Sequence, residues 1–403
     1  MVERDAEAIV VGGGPAGSTI AADLASAGHR VLLLDKATFP RHKPCSDYLN
    51  AGGAQILAEM GVLDEVMRAG AHRIEGMTIH APGGNQFTAN FAKAEPGRAA
   101  IGLSRRCLDQ LLLERARAAG ATVVERAHVR DLVHEKGYVA GVEATIDGTT
   151  ERIRAPLIIG ADGRHSVVAR ALKLTAPLRW PRKTGLATHY RGIAGLDRFG
   201  EMHIVGHSLY AGLAPIEHGM ANLTIVLPSA AVEQRSGSID ELFADTLDRM
   251  PALAAQLDGA ERVGGIRGVG SMGQRARRTT GDGFLLVGDA ASFLDPFPGE
   301  GIYEALRAAR MAAPVVSTAL KTGDTSARAL EPYRIARRRA FTAKRQVCWI
   351  VQGFVNAPPL MNYVTDRLVE REELGLTLSG VLGNFRPATQ ALSPLFLARL
   401  LRP

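Results

Sequence analysis

The sequence has few of the features typical of secreted or membrane-spanning proteins. Its three cysteines, Cys45, Cys107 and Cys348, are too few and too scattered among 403 residues for a disulfide framework or a zinc site. We therefore expect no bound metal. No run reaches the ~18 consecutive apolar residues that a membrane-spanning helix needs. The first residues carry no basic stretch followed by an apolar signal core, so a cytoplasmic location is expected.

The net charge of +7 raises the question of an acidic partner. Basic residues are concentrated between Arg334 and Arg345 and between Arg275 and Arg278. Neither run is interleaved with stacking aromatics, and no nucleic-acid-binding module is recognisable, so no nucleic acid is expected. We predict a solvated helix face, with cofactor phosphates or peripheral contact with a membrane surface as alternatives.

The strongest local motif follows the short apolar strand Ala8 to Val11. Gly12, Gly14 and Gly17 have the G-x-G-x-x-G spacing, which permits a tight turn, backbone approach to a pyrophosphate and close helix–strand contact. A small-residue helix follows, then a second strand that ends in Asp35, where the fold needs an acceptor for ribose hydroxyls. The segment predicts a Rossmann-type dinucleotide site.

Two later segments favour FAD over NAD. In each, a strand leads to an aspartate beside a glycine, at Asp162-Gly163 and at Gly288-Asp289. Asp289 can accept hydrogen bonds from ribityl hydroxyls. The turn Pro296 to Gly301 leads into a helix whose N-terminus can stabilise negative charge on the pyrimidine edge of a reduced flavin.

These motifs, with "GDAASFLDPFPGEG", resemble the para-hydroxybenzoate hydroxylase fold of FAD-dependent oxidoreductases. That superfamily contains aromatic monooxygenases, flavin halogenases and geranylgeranyl reductases. The resemblance covers roughly residues 1 to 330 and implies a set of FAD-binding positions. These are Gly12, Gly14, Ala16 and Gly17 at the pyrophosphate, Asp35 at the ribose, Arg105, Val129 near the adenine, Asp162 and Gly163, Asp289, and Pro296, Gly299, Gly301 and Ile302 at the ring. Arg106 is the alternative to Arg105.

The resemblance is less specific for the reaction. Ser292 and Tyr303 stand where aromatic hydroxylases commonly have histidine and asparagine, and "FPRHKPCSDYL" is similar to the basic, cysteine-containing segment of the reductases. The W-x-W-x-I-P signature of the halogenases is absent. We favour an NAD(P)H-dependent monooxygenase that hydroxylates an aromatic or polyketide-like substrate. The alternatives are a geranylgeranyl-type reductase of isoprenoid double bonds and an electron-transfer flavoprotein without turnover.

Candidate catalytic groups are few. Asp47, Tyr210 and His42 could contact a small hydrophobic or aromatic substrate, and Cys45 could be a redox thiol. Each has a structural alternative: Tyr210 as a core residue of a strand, His42 and Asp47 as loop or cap residues, and Cys45 as a small buried packing residue.

The fold class that follows is α/β. A Rossmann-type FAD-binding domain (GR2-like) is combined with an antiparallel β-sheet substrate domain and a C-terminal helical region, and the domains are interleaved along the chain. The predicted segments are FAD-binding parts at 1–73, 101–174 and 271–330, a substrate-region crossover at 74–100, the substrate sheet at 175–270 and the helical region at 331–403.

Overall fold

The computed structural model describes residues 6–178, 182–234, 237–270, 272–293 and 299–402. The strands are β1 Ala8–Val11, β2 Val31–Leu34, β3 Tyr48–Leu49, β4 His72–Ile74, β5 Gly76–His80, β6 Gln86–Asn90, β7 Ala100–Gly102, β8 Thr122–Val124, β9 Ala127–Glu135, β10 Tyr138–Ile146, β11 Thr149–Arg154, β12 Leu157–Gly160, β13 Thr175–Pro177, β14 Lys183–Arg191, β15 Phe199–Gly206, β16 Leu209–Pro215, β17 Met220–Pro228, β18 Glu261–Val269, β19 Gln274–Ala276, β20 Thr280–Gly281, β21 Phe284–Leu286 and β22 Ser292–Phe293. The helices are α1 Pro15–Ser26, α2 Ala51–Glu59, α3 Leu63–Arg68, α4 Phe91–Ala94, α5 Arg105–Ala118, α6 Val167–Ala171, α7 Ser229–Glu233, α8 Ile239–Leu247, α9 Pro251–Gln256, α10 Gly301–Thr322, α11 Ala327–Asn356, α12 Pro358–Glu370, α13 Glu372–Leu382 and α14 Pro394–Leu401.

The dinucleotide-binding half is a six-stranded sheet in the order β20-β21-β12-β1-β2-β8. All its pairs are parallel except that of the edge strand β20 with β21. The central strand β1 is buried along its whole length, which is typical of a parallel strand covered on both faces. Helix α1 packs against α5 and α10, so the glycine motif between β1 and α1 lies at the carboxyl edge of this sheet.

The second half is a seven-stranded sheet in the order β18-β14-β17-β16-β15-β5-β6. Its pairs are antiparallel except for β15 with β5, which run parallel. The hairpin β5–β6 comes from the predicted crossover segment, far from the rest of the sheet in sequence. The α/β fold with a Rossmann-type domain, an antiparallel sheet and a C-terminal helical region is therefore confirmed, whereas the segment boundaries stay predictions.

The C-terminal helices pack onto both halves. The hydroxyl of Tyr333 on α11 donates a hydrogen bond of 2.9 Å to the carbonyl of Leu286 in the six-stranded sheet. Helices α12 and α13 contact β6 of the other sheet. Within the described part of the chain, no helix is long and apolar enough to cross a membrane.

The basic run on α11 is only partly a solvated face. Arg334, Arg338 and Arg339 are exposed, as predicted. Arg337 and Lys344 are buried, with 6% and 4% of their surface accessible, so the prediction is wrong for these two residues. Because a helix has 3.6 residues per turn, so dense a basic run places some of its residues on the side of the helix that faces the protein interior. A cation that is buried there needs hydrogen-bond acceptors.

Candidate active site

A cleft of about 370 Å³ opens between the two large sheets. One wall carries the glycine motif and the carboxyl ends of β12 and β21, and the other is formed by β14, β17 and β18. Of the predicted cofactor-binding residues, the following line the cleft: Gly14, Ala16, Arg105, Gly163, Asp289, Gly299, Gly301 and Ile302. Residues from five distant parts of the sequence thus meet at one site.

The glycines of the first motif have different roles. A methyl group built on Gly17 would lie 1.8 Å from the carbonyl oxygen of Gly12, and Gly12 itself has a φ of +103°. Both positions therefore exclude a side chain so that α1 can approach β1. Gly14 is different, because a methyl group there would meet only the ends of Arg41 and Arg105, at 3.7 and 3.8 Å. Its face is open to the cleft.

Two guanidinium groups converge beside Gly14. Arg105 is bound to the Asp109 carboxylate through Nε and Nη2, at 2.6 and 2.8 Å, and Arg41 Nη1 lies 3.0 Å from the same carboxylate. Asp109 holds both arginines in place, but its single negative charge neutralises only one of their two positive charges. This end of the cleft therefore keeps a net positive charge, which suits an anion such as a pyrophosphate. Arg106 is exposed and does not line the cleft.

The opposite end of the cleft is the beginning of α10. Gly301 and Ile302 are the first residues of that helix, and their backbone N–H groups have no acceptor within it. Asp289, three residues after the end of β21, lines the same cleft. Gly299 has a φ of +83°, and a methyl group built on it would lie 2.6 Å from the Tyr48 ring. The predicted residue Pro296 lies outside the described residues.

Three more of the predicted residues, Asp35, Val129 and Asp162, do not line the cleft. Asp35 accepts backbone hydrogen bonds from Gly13 at 2.6 Å and Ala37 at 2.8 Å, so it holds the glycine turn. Val129 lies on β9, is buried in the hydrophobic core and does not line the cleft. Asp162 accepts from Val167 N at 2.6 Å, and burial raises its pKa. Each position as a direct FAD contact stays a prediction.

The candidate catalytic residues separate into two places. Asp47 is buried, with a φ of +52°, and its carboxylate accepts hydrogen bonds from Arg105 N at 3.0 Å and Asn222 Nδ2 at 2.8 Å and lies 2.7 Å from His189 Nε2. This network holds the loop that carries Cys45, which lines the cleft. Tyr210 is buried in a separate apolar cavity next to the cleft.

Burial shifts the pKa values of two ionisable groups of this loop in opposite directions. It raises the pKa of the Cys45 thiol, so the neutral thiol is the favoured form. Burial, and next the positive charge of Arg105, lower the pKa of Lys43, which also lines the cleft. His42 is exposed and lines a smaller polar pocket together with Asp47, and burial lowers its pKa as well.

Comparison with protein families identifies the group to which this cleft belongs. Residues 5–347 match the family model described as "FAD binding domain". The chain is a member of this FAD-binding family. Digeranylgeranylglycerophospholipid reductase 2 of Methanopyrus kandleri is 31% identical over 341 residues, which are 81% of each chain. The 6-methylpretetramide 4-monooxygenase of Streptomyces rimosus is 29% identical over 85% of this chain and 82% of its own.

Among solved structures, the myxobacterial chondrochloren halogenase CndH has a TM-score of 0.79 and 27% identity, covering 85% of this chain and 81% of its own. The chain is therefore an FAD-dependent oxidoreductase. The family resemblance stated from the sequence is confirmed, while relatives with different reactions leave the specific activity to the geometry of the site.

The described residues fit FAD. The open face of Gly14 and the two arginines suit the pyrophosphate, and the N-terminus of α10 suits the flavin ring. Oδ1 of Asp162 is buried without a hydrogen-bond partner among the described residues, as expected where a bound molecule supplies the donor. The sequence analysis did not single out Arg41, although the basic segment that contains it was noted.

A buried polar cluster joins the α10 end of the cleft to the C-terminal helices. Lys344 Nζ lies 2.8 Å from Glu300 Oε1, and Asn384 Nδ2 donates to both Glu300 oxygens at 3.0 and 2.8 Å. Eight residues before Glu300 in the chain, Ser292 Oγ accepts hydrogen bonds from Arg337 and Arg345 at 2.7 and 2.9 Å. Sequence reasoning missed all of these contacts, because each joins residues far apart in the chain.

Proposed function

We propose that this oxidoreductase reduces carbon–carbon double bonds in a long isoprenoid chain. This was the second interpretation of the sequence, after hydroxylation. The observation that supports it is a pair of neighbouring apolar cavities, one beside the cleft and one within the C-terminal helical region.

The cavity next to the cleft measures about 60 Å³ and shares Ser46, Tyr48, Thr224 and Gly299 with it. A second cavity of about 60 Å³ lies between α11, α12, α13 and α14. Ile79 and Leu382 line both cavities, so the two are neighbours. Together they mark an apolar region that begins beside the cleft and is lined mainly by aliphatic, aromatic and methionine side chains.

The walls favour a flexible hydrocarbon chain over a polar ring system. The cavity next to the cleft, the inner cavity, has five polar side chains in its lining: Ser46, Tyr48, Glu201, Tyr210 and Thr224. All residues that line the second cavity, the outer cavity, are apolar. Burying one CH₂ group is worth about 0.8 kcal/mol, so an isoprenoid chain gains affinity with each unit that enters. A phenol or ketone in the outer cavity would lose its hydrogen bonds to water without replacement.

When bound, FAD supplies the electron pair that reduction of a double bond requires. The chain's own residues position the substrate and handle the proton. Tyr48 and Thr224 border both the cleft and the apolar cavity, so they orient the reacting part of the chain. Cys45 lines the cleft and keeps its proton, which makes its Sγ the candidate donor to the substrate carbon. Asp47 positions this loop through Arg105 and Asn222.

NADH or NADPH is the proposed reductant of the flavin. The smaller polar pocket, of about 20 Å³, shares Lys43, Cys45 and Arg105 with the cleft and adds Arg106 and Arg267. Its cationic lining suits the phosphates of a nicotinamide dinucleotide. Peripheral contact with a membrane, from which such a substrate would be taken, is also proposed, because Leu395 and Leu401 of α14 are 70% and 48% exposed.

The test is anaerobic turnover with the purified holoenzyme, a geranylgeranyl lipid, and NADH or NADPH in separate reactions. We expect a product that has gained one hydrogen pair per reduced bond. Leu382→Phe should narrow the passage between the cavities and raise KM for long chains more than for short prenyl substrates. Leu360→Phe, at an exposed position on α12, is the matched control. Equal KM changes for long and short chains would contradict the proposed route.

Hydroxylation is the second candidate function, favoured by the similarity to the Streptomyces rimosus monooxygenase over most of both chains. It predicts oxygen uptake coupled to NAD(P)H oxidation and a product that has gained one oxygen atom. If the enzyme leaves isoprenoid lipids unchanged but consumes oxygen with an aromatic substrate, hydroxylation replaces reduction as its function.

A further inference from the structure

Three metal-ligating side chains meet at the junction of β5 and β15, outside the cofactor cleft. His80 on β5 is the direct partner of His203 on the parallel strand β15. Glu201 lies two residues before His203, and side chains two residues apart in a strand project from the same face of the sheet. Pairing and alternation therefore bring two imidazoles and one carboxylate to one place.

The distances are those of a compact donor set. His203 Nε2 lies 2.8 Å from Glu201 Oε2, and His80 Nε2 lies 3.7 Å from the same oxygen. The two imidazole rings are parallel, with centroids 4.3 Å apart. One donor atom from each of the three residues lies within 4.8 Å of the others. Rotation of the two stacked rings about their side-chain bonds would let their nitrogens and the carboxylate converge on one ion at the ~2.0–2.2 Å that zinc forms with nitrogen and oxygen ligands.

One atom of the set lacks a partner. Nε2 of His80 is buried and has no hydrogen-bond partner among the described residues. A buried polar atom without a partner is uncommon and indicates a missing ligand. The Glu201 carboxylate also has a further hydrogen-bond partner, because Gln256 Nε2 on α9 donates to Glu201 Oε1 at 3.0 Å. Such an outer contact is typical of metal-binding carboxylates.

We propose that His80, Glu201 and His203 bind one divalent transition-metal ion of the zinc class. Two imidazoles and a carboxylate suit such an ion, and three protein ligands leave one coordination position for water. The ion would join β5 to β15, and β5 also carries Met77 and Ile79 of the inner apolar cavity. The site thus clamps the crossover hairpin to the sheet. This inference does not depend on which reaction the enzyme catalyses.

The test uses tag-free holoenzyme that has been treated with a chelator and then dialysed. Zn²⁺ is titrated calorimetrically, and bound metal is counted after gel filtration. We expect one zinc per chain and a rise in Tm on binding. His80→Ala or His203→Ala should weaken binding by about 100-fold or more, and Gln256→Ala by about 10–100-fold.

His134→Ala, at an exposed position on β9, is the matched control and should bind zinc like the wild type. The visible spectrum of bound FAD checks that each variant is folded. Absence of stoichiometric zinc binding by the wild type would overturn the proposal. So would zinc binding of unchanged affinity in both histidine variants, since the metal would then lie elsewhere.

Discussion

At the pyrophosphate end of the cleft, the glycine turn is formed by residues that are close together in the sequence. At the ring end, Gly299 to Ile302 are held by Lys344 on α11 and Asn384 beyond α13. The first end relies on close backbone packing, and the second on buried charge pairing between distant segments. Loss of packing at Gly17 should therefore abolish the site, whereas loss of Lys344 should damage the ring end selectively.

The largest effect is expected for Gly17→Ala. The added methyl group would lie 1.8 Å from the Gly12 carbonyl oxygen, which only a backbone shift of α1 could relieve. Overpacking costs about 1–3 kcal/mol, and more where backbone must move. We expect loss of bound FAD, measured by absorbance after gel filtration, and a lower Tm. Gly353→Ala, where a methyl group meets nothing within 4 Å, should retain FAD.

Lys344→Met comes next. Removing one partner of a buried ion pair costs about 3–5 kcal/mol, because the other charge stays buried. Glu300 would keep only Asn384 as a described side-chain partner, so the beginning of α10 should loosen. We expect a lower Tm together with slower flavin reduction in stopped-flow experiments. The double variant Lys344→Met/Glu300→Gln should recover part of the stability, and its failure to do so would mean that the pair is not the source of the effect.

Asp289→Ala tests the ring end directly. Loss of a charge-assisted hydrogen bond costs about 1.5–3 kcal/mol, which corresponds to a roughly 10- to 150-fold weaker affinity for FAD. Fluorescence titration of the apoprotein measures this affinity, and Asp282→Ala, at an exposed carboxylate in the preceding turn, is the control. Unchanged affinity would remove Asp289 from the FAD site.

The smallest effect concerns Cys45. Because burial raises its pKa, the reactive thiolate forms only at a pH above the ordinary range for cysteine. Alkylation of Cys45 should be slow at neutral pH and accelerate as the pH rises through that raised value, as followed by peptide mass spectrometry. Rapid modification at neutral pH would show that the loop is open and that Cys45 is not a proton-holding thiol.

The same contrast explains what could be predicted from the sequence. Gly12, Gly14, Gly17 and Asp35 could be singled out because the motif that contains them has a short, fixed spacing between β1 and β2, and their contacts with FAD stay predictions. The fold class followed from three such motifs in order. Lys344 could not be found in this way, since its partner Glu300 is 44 residues away and a dense basic run resembles a solvated face. His80 and His203 become neighbours only through the parallel pairing of β5 with β15.

The interleaved order of the strands also has a consequence for synthesis on the ribosome. The central strand β1 pairs with β12, which pairs with β21, so the six-stranded sheet is complete only when residue 286 has emerged. The strand β5 pairs with β15, and the seven-stranded sheet is complete only when residue 269 has emerged. At roughly 5–20 residues per second, the first strands wait on the order of tens of seconds for their partners. The nascent chain therefore carries unpaired strand edges during most of its translation, and its yield in cells should depend on chaperones that cover them.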